Sequence, residues 1–231
     1  ETTTLLGSQA DDSIYDYSGQ SLQVQARGND DYISLSAGND IVSAGTGDDR
    51  IYSGQGEDLV AGEMGDDRID TGDGDDVVVF NYGDGQDTLS TGQGLDTISF
   101  GVSVAPSMLS AMPDRYGRVV LVIDNGLGGS ITLDNTFEIG QSNDPERIQF
   151  IDGDGATRVF DFAGWLQDNG PSLLSATEAA PLVFDGNGFE ISGSVAPAGG
   201  LEAIAYAQSA DLFAAANLTN NTPTEGNDVL Y

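Results

Sequence analysis

Between Ala26 and Ser99 the chain repeats every nine residues. The copies read ARGNDDYIS, LSAGNDIVS, AGTGDDRIY, SGQGEDLVA, GEMGDDRID and TGDGDDVVV; after Phe80-Asn81 come YGDGQDTLS and TGQGLDTIS. Position six is Asp in every copy: Asp31, Asp40, Asp49, Asp58, Asp67, Asp76, Asp87 and Asp96. Position eight is always a branched aliphatic: Ile33, Val42, Ile51, Val60, Ile69, Val78, Leu89 and Ile98. Position four is Gly except in the first copy, which has Asn29. One nonad cannot bury its own aliphatic residue, so a period held this long demands a stack in which each copy buries its neighbour's.

The pattern resembles the RTX (repeats-in-toxin) haemolysin-type calcium-binding repeat, G-G-x-G-x-D-x-U-x. That resemblance implies an all-β chain built on a right-handed parallel β-roll. In such a roll the last three residues of a nonad form a short strand with position eight pointing inward. The first six form a turn, where Gly supplies the positive-φ conformations that other residues avoid. Two nonads complete one coil, so like edges recur every eighteen residues and rungs stack at roughly 4.8 Å. Asp31, Asp49 and Asp67 then share one edge, and Asp40, Asp58 and Asp76 the other.

Stacked carboxylates repel, and a cation between them turns that cost into binding. Ca2+ takes six to eight oxygens at about 2.3–2.6 Å, backbone carbonyls included. The resemblance implies several Ca2+ ions, each held by the Asp residues of two turns on one edge and by carbonyls near positions two and four. Those positions are Arg27 and Asn29, Ser36 and Gly38, Gly45 and Gly47, Gly54 and Gly56, Glu63 and Gly65, Gly72 and Gly74, Gly83 and Gly85, and Gly92 and Gly94. Zinc lacks its Cys and His ligands here, and Mg2+ prefers to keep its waters. The alternative is a metal-free solenoid with solvated acidic turns.

Positions seven and nine should point outward. On one sheet they are Tyr32, Arg50 and Arg68 with Ser34, Tyr52 and Asp70, a face suited to water. On the other they are Ile41, Leu59 and Val77 with Ser43, Ala61 and Val79. An apolar ladder of this kind marks a contact surface, or it reflects ordinary β-propensity. We expect residues from 100 onward, or a partner chain, to cover Ile41, Leu59, Val77 and Val79.

The flanks divide the chain into four expected parts. Residues 1–99 form the roll; its start is imperfect, with Asp12 and Ile14 in register, Leu22 where Asp is expected, and calcium weak or absent. Residues 100–166 resemble the haemolysin-type calcium-binding-related segment through SITLDNTF and PERIQFIDGDG. Strands are expected at 118–123 and 130–137 about Asp124-Asn125-Gly126, and at 147–151 and 157–162 about Asp152-Gly153-Asp154-Gly155. That last turn reads as a hairpin or as a further calcium loop. Residues 167–222 read as a loop-rich segment with a hairpin at 182–191 and one short C-terminal helix near 201–218. At 223–231 the nonad returns, with Asp228 at position six as another candidate ligand. This rung is expected to stack outside the chain, through head-to-tail self-association or by continuing into further repeats.

Charge and composition narrow the function. The formal net charge is −31, and there is no Lys, His or Cys. Without a basic patch, nucleic-acid binding is disfavoured, as is attachment to an anionic membrane. No run is long enough for membrane insertion. Triads, thiol nucleophiles and Schiff-base lysines have no residues to form from; with 38 acidic residues, close carboxylate pairs say nothing by themselves. Millimolar calcium is an extracellular condition, so a secreted or cell-surface location follows. The expected role is non-enzymatic: a calcium-folded structural module of an adhesin, surface layer or filament. The alternative is a C-terminal secretion or folding appendage of an RTX toxin or hydrolase exported by type I secretion. Carbohydrate binding has only Tyr32 and Tyr52 in its favour. No signal peptide is visible, and the chain reads as a piece of a longer protein.

Overall fold

The structure, a computed structural model, describes residues 3–101, 104–123, 128–134, 144–151, 157–173, 180–181 and 229–230. The chain winds into a β-solenoid of about five turns. Its strands are β1 (Thr3–Leu6), β2 (Ser13–Tyr15), β3 (Leu22–Gly28), β4 (Tyr32–Ser34), β5 (Ile41–Thr46), β6 (Arg50–Gln55), β7 (Leu59–Met64), β8 (Arg68–Asp73), β9 (Val77–Phe80), β10 (Gln86–Ser90) and β11 (Thr97–Phe100). Odd-numbered strands form one sheet and even-numbered strands the other. Within each sheet these neighbours run parallel. The pairing Tyr32↔Arg50, Ile33↔Ile51, Ser34↔Tyr52 puts residues eighteen apart side by side. This is the coil of two nonads that the period requires.

The interior explains why the repeat tolerates so little variation. Position eight is buried throughout the roll, from Ile33 and Val42 to Leu89 and Ile98. Position one also faces inward in most copies: Ala26, Ala44, Ser53 and Thr71 are small or short and fully buried, Leu35 is a larger buried exception, and Tyr82 is exposed. The Ser53 hydroxyl donates to the Thr71 carbonyl at 3.0 Å, and Thr71 Oγ1 donates to the Thr91 carbonyl at 3.2 Å. Apart from Leu35, the interior of these rungs holds one aliphatic layer beside small residues and backbone-bonded hydroxyls.

Beyond Phe100 both sheets continue with a different filling. β12 (Leu109–Pro113), β13 (Val119–Ile123) and β14 (Ser130–Leu133) form antiparallel pairs, and β14 joins β10 in parallel. β15 (Arg147–Ile151) joins β11 in parallel and turns back antiparallel into β16 (Thr157–Asp161). The interior widens where Phe80, Phe100, Phe150 and Phe160 stack in sequence, with ring centroids 6.0, 5.3 and 5.7 Å apart. Phe80 holds the place that Gly62 and Ala44 hold in earlier rungs, so the core thickens by an aromatic layer. Asp134 ties this region to the roll, accepting from Arg68 Nη2 at 2.6 Å and from Arg118 Nη1 at 2.9 Å.

Three features differ from the sequence reading or lie beyond it. The segment after Asp161 is a helix, α1 (Phe162–Leu173), not the end of a strand followed by loop. Asp161 caps it, its Oδ1 accepting the Gly164 N–H at 2.8 Å. Phe162, Trp165 and Leu166 bury one face at helical spacing. After β17 (Ala180–Pro181), which pairs with β12, comes β18 (Val229–Leu230). Rather than stacking outside the chain, β18 pairs in parallel with β2 of the same chain, Val229↔Ser13 and Leu230↔Ile14. The rung returns to the start of its own roll because β2 otherwise ends its sheet. The expected hairpin at 182–191, the helix near 201–218, Asp228 and the turns at 124–126 and 152–155 lie outside the described residues.

On the outer face of the odd sheet, Leu59, Val77 and Val79 are buried and Ile41 is half-buried. In the isolated chain this ladder is a packed face. On the even sheet, Tyr17, Tyr15, Tyr32 and Tyr52 form an outward aromatic row, with centroids 5.5 to 6.4 Å apart. No helix among the described residues is long and apolar enough to cross a membrane.

Phe100 sits mid-stack between Phe80 and Phe150, with nothing to collapse into its place. Phe100→Ala is expected to cost about 3–5 kcal/mol, measured by urea denaturation in saturating calcium.

Candidate metal centre

Each turn brings its position-six Asp to an edge of the roll, and one oxygen of every carboxylate has a fixed task. Asp49 Oδ1 accepts the backbone N–H of Asp31 at 2.7 Å, Asp67 Oδ1 that of Asp49 at 2.9 Å, and Asp87 Oδ1 that of Asp67 at 3.0 Å. The second edge repeats the ladder. Asp40 accepts from Leu22 at 2.8 Å, Asp58 from Asp40 at 2.8 Å, Asp76 from Asp58 at 2.9 Å and Asp96 from Asp76 at 3.0 Å. The sequence reading placed these carboxylates in two rows, and the structure brings them together in that way.

The other oxygen has no task within the protein. Oδ2 of Asp31, Asp40, Asp49, Asp58, Asp67, Asp76 and Asp96 is buried and has no hydrogen-bond partner. Buried polar atoms are rarely left so, and a buried carboxylate without a counter-charge is costly. Burial, more than any neighbouring charge, pushes these groups upward: Asp31, Asp40, Asp67, Asp76 and Asp96 to about 7, Asp49 to about 8. Asp58 is raised by the same cause.

The backbone supplies further oxygens. Positions two and four adopt positive φ in the glycine turns, for example Gly54 at 110° and Gly56 at 134°. Where no Gly stands, Arg27, Asn29 and Glu63 adopt φ of 91°, 64° and 70°. Ser36 alone of the non-glycine ligands expected there is not among the positive-φ residues. Carbonyls at these positions point along the stack at the turn above. A β-carbon built on Gly56 would overlap the Gly38 carbonyl, and one on Gly74 would overlap that of Gly56. The same holds for Gly65 on Gly47, Gly72 on Gly54, Gly92 on Gly72, Gly85 on Gly65 and Gly94 on Gly74. Gly45 approaches the Arg27 carbonyl in the same way, and Gly47 the Asn29 carbonyl. Some of these oxygens also serve the backbone ladder: Ser36 accepts the Gln55 N–H at 3.0 Å, and Gly85 accepts that of Ser130 at 2.9 Å. A carbonyl has a second lone pair to offer.

Among the described residues no three carboxylates converge on one point. An ion here would therefore draw on one or two carboxylates and on several carbonyls. That donor set is all oxygen and geometrically loose, which suits Ca2+ over Mg2+ and excludes the ligands zinc prefers. The residues present fit the ion.

The sequence reading missed Asp84 and Glu146. Asp84, at position three beside the Phe80-Asn81 insertion, is buried. Its Oδ2 accepts the Asn81 N–H at 2.6 Å. Burial raises it to about 7, and burial, then the charges of Asp67 and Asp84, hold Asp87 up at about 8. The only signal was an extra Asp in YGDGQD. Glu146 accepts the Asp96 N–H with Oε2 at 2.8 Å.

Comparison with known families supports the ion. Residues 25–60, 43–78 and 83–101 match the family model described as RTX calcium-binding nonapeptide repeat (4 copies). No curated protein matches the chain.

Proton binding should imitate calcium. A carboxyl raised from 3.8 to about 7 or 8 in the fold adds stability that is fully present below about pH 4 and disappears as the pH rises through about 7 to 8. Calcium-free chain is therefore expected to show β-structure by circular dichroism near pH 4 and to lose it toward pH 8. Calcium affinity is expected to run the other way, because the ion requires the ionised form.

Proposed function

We propose that this chain, whose roll is built of RTX calcium-binding nonapeptide repeats, is a structural module of a secreted or cell-surface protein that folds when it binds calcium. The observation that carries this reading is the double row of buried Oδ2 atoms without partners. At neutral pH and without metal, these charges oppose the same stacking that buries position eight. From β5 to β8 the apolar interior of each rung is one aliphatic residue and one small one, which leaves little to offset that repulsion. An acidic, Gly-rich chain then remains unfolded, and the binding free energy of the ion becomes folding free energy. Low cytoplasmic calcium and millimolar extracellular calcium would keep the chain open before export and closed after it.

Nothing in the described turns is arranged for catalysis, since every position-six carboxylate is bound into the backbone ladder. A structural part in an adhesin, surface layer or filament follows from a rigid rod whose sheets extend by adding rungs. Association of copies would require β18 to leave β2 of its own chain for β2 of a second, which would join two rolls head to tail. The same module carried as a C-terminal appendage of a toxin or hydrolase would use the same calcium chemistry.

Far-UV circular dichroism tests the main reading: coil in chelator at pH 7.5, β-structure on calcium addition. Asp58→Asn isolates the charge, since Asn keeps the acceptor for the Asp40 N–H and replaces only the orphaned oxygen. It is expected to raise the calcium concentration needed for folding several-fold. Asp48→Asn, an exposed position-five change, is expected to leave that concentration within about twofold.

A further inference from the structure

The two edges of the roll end differently. On the first, β14 follows β10 with Asp87↔Ile131 in register, so no carboxylate succeeds Asp87. On the second, β15 follows β11 with Thr97↔Arg147 and Ile98↔Ile148 in register. The residue before Arg147, at the position-six place, is Glu146. It repeats both bonds of the ladder. Its Oε2 accepts the Asp96 N–H at 2.8 Å, as Asp96 Oδ1 does for Asp76 at 3.0 Å. The Arg147 N–H donates to the Asp96 carbonyl at 3.0 Å, as that of Thr97 does to Asp76 at 2.8 Å. Glu146 follows Asp96 by fifty positions, most of them outside the repeat, yet the rung is completed as if the period had never broken.

Asp96 Oδ2 is fully buried and has no hydrogen-bond partner, and Glu146 stands near enough for its charge to add to burial in raising the Asp96 carboxyl. The Gly94 carbonyl belongs to the same last turn. We propose that Glu146 is the terminal calcium ligand of the second edge, closing with Asp96 a site beyond the last nonad. The assignment rests on the calcium reading of the nonads and extends it to a residue outside them. Burial, with the Asp144 charge after it, holds Glu146 above the ordinary carboxylate range against the hydrogen bond from Asp96 and the charge of Arg147.

The site has a structural consequence. The Glu146 carbonyl accepts the N–H groups of Phe162 at 2.8 Å and Ala163 at 3.1 Å, the first two residues of α1. One residue thus holds the roll by its side chain and the helix by its backbone. An ion between Asp96 and Glu146 fastens β15, β16 and α1 to the end of the repeat.

Calcium counting by native mass spectrometry on the full chain tests this, with amide hydrogen exchange as a second readout. Glu146→Gln keeps an acceptor for the Asp96 N–H and removes the charge. It is expected to bind one calcium ion fewer than the wild type, with exchange in 147–151 and 162–173 at least tenfold faster in calcium. An unchanged count and unchanged exchange would overturn the assignment and leave Glu146 a hydrogen-bonding cap. If Glu146→Gln does not fold, Glu146→Asp decides: folding with the wild-type count upholds the role of the charge, and failure of both variants overturns it. A wild type that binds no calcium sinks the reading of the nonads themselves, a result distinct from either.

Discussion

The confinement of carboxylates stacked one rung apart governs this molecule, first through the cost of burying them and then through their mutual repulsion. At roughly 4.8 Å and an effective dielectric constant of about 20, two unit charges repel by on the order of 3 kcal/mol. Each edge repeats that term along its length, and each buried carboxylate adds a desolvation cost of several kcal/mol. Solvent exposure would relieve both, but the ladder forbids it. Oδ1 of each Asp is bonded to the backbone of the preceding rung, so the carboxylate cannot swing away without breaking a main-chain link. The hydrogen bond that aligns the rungs is therefore what confines the charges.

The glycines follow from the same constraint. Carbonyls at positions two and four must face the gap between turns for an ion to meet oxygen there. That orientation puts each carbonyl against the Cα of the equivalent residue in the next turn, where a side chain would overlap it. Gly at both places is thus a matter of space as well as of φ. Arg27, Asn29 and Glu63 show what happens at the exceptions: the backbone keeps its positive φ, and the residue carries the strain. Two of them, Arg27 and Asn29, belong to the first full nonad, where the stack is entered.

Much of this was legible in the sequence because periodicity is a long-range signal written locally. A residue eighteen positions away is a spatial neighbour, so spacing alone placed Asp49 on Asp31 and Asp58 on Asp40. Strands β13, β14, β15 and β16 were legible for a similar reason, as apolar runs about turn residues. Glu146 was not, because it joins the ladder fifty positions after Asp96, most of them outside the repeat, and as Glu instead of Asp. The helix α1 carried its own signals, the Asp161 cap and the spacing of Phe162, Trp165 and Leu166. Gly164, Gly170 and Pro171 obscured them. The docking of β18 on β2 is a closure of the whole chain, and no local pattern in PTEGNDVLY distinguishes its own roll from another.

The unequal filling of the interior separates two kinds of stability along one solenoid. From β5 to β8 each rung contributes one aliphatic side chain and one Ala, Gly, Ser or Thr, while Leu22 and Leu35 add a second aliphatic near the start of the roll. From Phe80 onward the aromatic stack, Phe162 against Trp165, and the paired β-hairpins bury a larger apolar interior. Asp134 with its two arginines, and Glu146 with its bonds to Asp96 and α1, lie where these regions meet. The repeat with its confined charges is thus joined to the aromatic end through a rung that both share, Asp96 with Glu146.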